Sequence, residues 1–259
     1  MPAKAQQTAK TDKQRSWLSS INWIWCVITL LVFSLLIKLG SWQLTRAEEK
    51  EQRLARINEL VGTEHQSLER AVSALSDELE LNDQPVLLNG TFESEVLILH
   101  DNQTLNGQLG YRVYQLFNHQ NQMPVLVNLG WVKGNKDRSV IPSVEAMAGT
   151  YQIKGNIRIV ESPMVLATQS YQWQPNIPLR VQQIDTDVMS KILGQQLLPF
   201  VVYVDTDEAI GYQKGWQPIV MPPEKHRGYA FQWFSLAIAW LVLMIVAAFK
   251  NNKQAEINE

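Results

Sequence analysis

The chain has 259 residues, 46% hydrophobic and 19% charged, with a formal net charge of -2 and one cysteine. That length allows one or two domains, and the composition excludes a disordered or collagen-like chain. A single cysteine excludes a disulfide framework and a cysteine-rich zinc or iron–sulfur site, and the absence of CxxCH excludes covalent c-type haem attachment. Mean hydropathy is ordinary for a soluble protein at -0.15, yet the apolar residues concentrate near the two ends.

Residues 1–20 form a tail carrying Lys4, Lys10, Lys13 and Arg15. The next stretch, WIWCVITLLVFSLLI at 23–37, is uncharged before Lys38 interrupts it. Residues 21–44 make about 36 Å of helix, enough for a hydrocarbon core of about 30 Å with Lys38 snorkelling to one surface. A cleaved signal peptide is the rival, but only a weak small-x-small site at Thr45–Ala47 follows, so the run reads as an uncleaved anchor. Residues 46–61 (RAEEKEQRLARINELV) are strong helix formers with Leu54, Ile57, Leu60 and Val61 on one side, and continue that helix outward. Residues 65–81 read as helical or irregular.

From Gln84 the pattern changes to strands. Residues 85–92 and 95–101 form short strands, with Asn89-Gly90 as turn punctuation. A strand at 111–117 follows Asn106-Gly107. Residues 125–132 and 151–159 alternate with a period of two. A helix at 186–193 has Asp185 as N-cap and Gly194 beyond its end. Residues 200–205 and 216–221 add two more strands. The pattern predicts an α+β protein, in which two transmembrane helices flank a mainly antiparallel barrel- or sandwich-like domain at 45–228.

The second apolar run, YAFQWFSLAIAWLVLMIVAAF at 229–249, is uncharged and gives about 32 Å of helix. Pro222-Pro223 stops the chain before it and can open the helix. Residues 250–259 are a short tail. Lys/Arg counts flanking the first run tie at four each side, and Glu48, Glu49 and Glu51 tip the orientation to termini in the cytoplasm. Residues 46–228 hold 16 Lys/Arg against 22 Asp/Glu. This acidic segment without a basic stripe argues against nucleic-acid binding.

No GxSxG, HExxH, Walker loop or GxGxxG is present. His65, His100 and His119 lie in polar contexts without a partner at ligand spacing, and the acids Asp205, Asp207 and Glu208 read as a solvated turn. His226 differs by its place at the mouth of the second run. On a helix starting near Pro223, His226, Tyr229 and Trp233 fall at i, i+3 and i+7 on one face. Such an imidazole above aromatic rings can ligate haem iron. The plainer reading of the residues alone is a polar residue capping the span beside an aromatic belt. Gln43, Arg46 and Lys50 repeat that spacing on the first helix. Arg46 can hold a haem propionate or snorkel to headgroups. Gly40 and Ser41 are small enough for close helix approach. Asn102, Gly107 and Gly110 read as turn residues, Trp131 and Trp216 as core, and Trp173 as an exposed contact candidate.

GSWQLTR (40–46), DNQTLNGQLGY (101–111), LVNLGWV (126–132) and PPEKHRGYAFQWF (222–234), in that order, resemble the surfeit locus protein 1 family over about residues 20–249. The resemblance implies a factor that assembles haem–copper cytochrome c oxidase and is not an enzyme. Bacterial members are associated with haem A, bound transiently, and the proposed ligand histidine maps onto His226. The family's GxWQxxR motif maps onto Gly40, Trp42, Gln43 and Arg46. The implied setting is the bacterial inner membrane, with the large domain in the periplasm. The oxidase catalytic subunit and haem-synthesis proteins are the implied partners. Leu129 and Lys133 depart from the family, where a basic residue often precedes the Gly-Trp pair and a proline follows it. A protein–protein adaptor that binds no haem is the alternative, using surfaces such as 101–111 and 130–134.

Overall fold

The computed structural model describes residues 23–73, 81–119, 122–160, 173–215 and 219–257. The expected tail at 1–20, most of 74–81 and Trp216 lie outside them. Contacts divide the chain into two units: residues 57–218, and residues 1–56 together with 219–259.

The second of these units contains two long helices. Helix α1 spans Trp23–Leu60 without a break, so the outward continuation read from 46–61 is part of the same rod. Helix α4 spans Pro223–Ile257, opened by the proline as expected. Both are long and apolar enough to cross a membrane. On α1 the inward positions Gly40, Gln43 and Ala47 step by three and four residues. On α4, Pro223, His226, Ala230 and Ala237 fall on one such stripe. This is heptad-like spacing, the pattern of two helices packed along a seam.

The other unit is built on a sheet. Its elements are β1 (Gln66–Ser67), α2 (Leu68–Ser73), β2 (Pro85–Leu105), β3 (Gln108–His119), β4 (Val125–Lys133), β5 (Gly149–Ile159), β6 (Leu179–Val181), α3 (Thr186–Leu193) and β7 (Phe200–Val204). The order along the sheet is β1-β2-β3-β4-β7-β5, with β6 alongside β2 and a further pairing of β2 with β5. The sheet is mixed rather than purely antiparallel, because β1–β2, β2–β6 and β4–β7 run parallel. The β4–β7 pairing needs a crossover, and α3 lies on the connecting segment.

Period-two alternation fills two cores. One face carries Leu88, Leu99, Val113, Val127, Ile157 and Val202. The other carries Ile98, Leu116, Leu126 and Val201, packed with β6 residues and with Met189 of α3. The local signals for α3 hold. Asp185 accepts from the Asp187 and Val188 amides, and Gly194 caps the other end at φ 69°. The β2–β3 hairpin turns at Asn106 and Gly107, both with positive φ, as a two-residue turn of this kind requires.

Several expectations are corrected. Asn89-Gly90 is not a turn: both residues lie within β2, which runs unbroken past them. A Cβ on Gly90 would sit 2.1 Å from the Asn118 carbonyl oxygen, so this glycine permits the close approach of β3. Of the strand read at 216–221, residues 219–221 are irregular; the sheet is extended instead by a bridge between Trp131 and Gln213. Trp173 is half-buried against the second core rather than an exposed contact. The acids near residue 205 are not merely solvated, since Asp205 accepts from Asn156 and pairs with His65 at 2.8 Å.

Candidate functional site

The seam between α1 and α4 brings together two of the residues singled out in the sequence. The His226 Nδ1–H donates to Gln43 Oε1 at 2.7 Å. His226 is 8% exposed, so the bond lies away from bulk solvent. Gln43 sits between buried Gly40 and Ala47 on its own helix. Buried Ala230 follows His226 by one turn. Small residues on both helices let the backbones close around this polar pair.

The other predicted residues lie beside it. A step of about 100° per residue puts Arg46 about 60° off the Gln43 direction and Tyr229 about 60° off the His226 direction. Because the helices are antiparallel, both deviations fall on the same side of the pair. Trp42 falls on that side too. All three are exposed there: Trp42 by 50%, Tyr229 by 45% and the Arg46 side chain by 46%. The Arg46 guanidinium stands 5.8 Å from the Trp42 ring centroid. Its Nη1 donates to Glu49 Oε2 at 2.7 Å, so it pairs within its own helix. Trp233 is half-buried near the seam.

The opposite side is clasped. Arg227 Nη2 donates to Glu51 Oε2 at 2.6 Å across the two helices. Sequence reading missed this pair. Its only signal was opposite charges one position beyond the stripe on each helix, which becomes meaningful once the register is known. The site therefore has a polar pair at its centre, an ion pair on one flank and an open aromatic and cationic flank on the other.

In the sheet unit, two motif segments meet. Tyr111 pairs with Val132 and Arg112 with Trp131. Trp131 Nε1–H donates to the Gln103 carbonyl at 2.8 Å, and the Gly134 amide to that of Leu109 at 3.1 Å. Arg138 pairs with buried Asp101 and lies over the Tyr111 ring at 4.5 Å. Among the turn readings, Gly107 is at the hairpin tip, while Gly110 lies under the Trp131 ring. Leu109 is 45% exposed next to these contacts. His65, His100 and His119 belong to this unit as well, and among the described residues no three His, Cys, Asp or Glu side chains gather as a metal site.

In a comparison with protein families, the family described as the SURF1 family matches residues 30–238. No curated protein matches the chain.

Proposed function

The chain belongs to the SURF1 family, and from that premise we propose that it is a membrane-anchored assembly factor that holds haem transiently for cytochrome oxidase. The family is associated with assembly of that oxidase. The finer reading concerns haem, and haem A in particular, with the oxidase catalytic subunit and haem-synthesis proteins as partners. It extends to a two-span protein of the bacterial inner membrane, with spans at 21–44 and 229–249, tails at 1–20 and 250–259 facing the cytoplasm, and residues 45–228 in the periplasm.

The observation that carries this reading is the Gln43–His226 pair beside an open flank of Trp42, Arg46 and Tyr229. The donor set fits a haem. With Nδ1 donating to Gln43, Nε2 of the neutral imidazole keeps its lone pair for a metal. Haem, when bound, supplies an iron that accepts one such nitrogen and two propionates that accept from cations. His226 would provide the nitrogen, and Arg46 a guanidinium for a propionate in exchange for Glu49. Tyr229 and Trp233, with Trp42, would offer apolar area to a flat macrocycle. One strong protein ligand suits release to a client better than two. The chain breaks no bond in this role.

The test is to purify the full chain from cells that make haem A, beside His226→Ala. Loss of the Soret band and of haem content supports the ligand role; an unchanged spectrum removes it. The adaptor reading draws on a separate observation, the meeting of segments 101–111 and 130–134 around exposed Leu109. It predicts that oxidase subunits co-purify equally with the native chain and with His226→Ala.

A further inference from the structure

We propose that Gln43 is a positioning residue: it holds His226 as the Nδ1–H tautomer, so that Nε2 is the nitrogen offered to iron, and as a neutral acceptor it pushes only moderate electron density towards that nitrogen. The choice of iron rests on the haem reading above, whereas the tautomer does not.

A neutral imidazole carries one N–H, and the nitrogen that holds it is decided by the partner of the ring. Gln43 Oε1 can only accept. At 2.7 Å from Nδ1 it requires the proton on Nδ1. The ring is nearly buried, where an unmade hydrogen bond is expensive, so the preference is enforced. Gln43 itself is half-buried on the stripe between Gly40 and Ala47, level with the ring it faces. Partners of this kind orient metal-binding histidines and tune their basicity. A carboxylate in the same place would pull the Nδ1 proton harder and push more electron density towards Nε2. The carboxamide does so less. That difference separates a carrier that releases its cargo from a site that keeps it.

The experiment uses the full chain in detergent micelles with 15N-labelled histidine, above about pH 7.5, where imidazole is neutral. Long-range 15N–1H spectra distinguish the tautomers, and His226→Gln identifies the His226 signals. The expected result is Nδ1–H in the native chain, a mixed or Nε2–H state in Gln43→Leu, and Nδ1–H again in Gln43→Glu. An Nε2–H ring in the native chain overturns the proposal, as does an unchanged tautomer in Gln43→Leu. Haemin titration and transfer to apomyoglobin form the second arm. Gln43→Leu is expected to weaken haemin binding by about 10–100-fold, the usual effect of losing such a partner. Gln43→Glu is expected to slow transfer and raise the iron–histidine stretching frequency. Native binding and transfer in both variants overturns the tuning role. If the native chain takes up no haemin, the haem reading falls, while the spectra still decide what Gln43 does to His226.

Discussion

The ring of Phe234 lies against the backbone of Gly40, so that a Cβ added there would stand 2.5 Å from Phe234 Cε1. The two helices approach this closely because Gly40 and Ala47 lie seven residues apart on one, and Ala230 and Ala237 seven apart on the other, all buried. Gly40→Leu is therefore expected to force the ring or the helix away, at about 1–3 kcal/mol for an overpacked site. Gly40→Ala should do less, since the ring end can turn. Melting of the detergent-solubilised chain measures both. Adding Phe234→Ala to Gly40→Leu should restore much of the loss, and no restoration would mean that the contact does not set the helix spacing.

Two glycines of the β2–β3 pair should respond differently. Gly90 lies under the Asn118 carbonyl, which does not move without breaking the ladder. Gly90→Val is expected to destabilise the sheet unit by at least about 2 kcal/mol. Gly107 has φ 75° and open space around it. Gly107→Asn keeps a residue that tolerates this conformation and should lose less than about 1 kcal/mol. Urea unfolding of the two variants checks the order, and a larger loss at Gly107 would contradict it.

These two positions mark what the sequence makes legible. Asn106-Gly107 and the Asp185 and Gly194 caps act through their own backbone, so local chemistry announces them. Asn89-Gly90 uses the same dipeptide for a different reason, the approach of a distant strand, and nothing local separates the two. The short strand β6 and the parallel pairings depend on crossovers, which period-two alternation does not encode. At the site, helical spacing is enough to put His226 on the inward stripe and to place Tyr229 and Arg46 beside it. It does not reveal that Gln43 is level with His226, because register between two helices is set by packing, here Gly40 against Phe234. The Arg46–Glu49 pair was legible as i, i+3 opposite charges and competes with the propionate role assigned to that arginine.

Arg158 and Asp83 form a buried ion pair, their side chains 8% and 5% exposed. Asp83 also adopts φ 75°, which its side chain type tolerates, while its amide donates to the Ile157 carbonyl at 2.9 Å. Removing one charge leaves the other in a low-dielectric site. Asp83→Asn keeps the backbone preference and isolates that effect, with an expected loss of about 3–5 kcal/mol. Asp83→Asn combined with Arg158→Met should cost less than the sum of the single changes. Additivity in a double-mutant cycle would show that the two groups do not depend on each other.

His100 makes the stability of the sheet unit depend on pH. Burial is the main cause that lowers its pKa below 6.5, and Arg112 adds to it; the Gln182 carbonyl and Asp101 act in the opposite direction. Nε2–H donates to that carbonyl at 3.1 Å, and Nδ1 is buried with no partner among the described residues, so a second ring proton would have nothing to bond. The unfolded chain takes up the proton first, near pH 6.5. Stability is therefore complete above that pH and declines as pH falls from there to the lowered value in the folded state. The carboxylate of Glu69, lowered chiefly by a backbone hydrogen bond, loses its contribution only as pH drops below its ordinary 4.5, outside this window. Unfolding midpoints of the native chain should fall between pH 7.5 and 5.5 more steeply than those of His100→Gln. Every other titratable group is common to both proteins and cancels in the difference, so parallel curves would remove His100 as the source of the pH dependence.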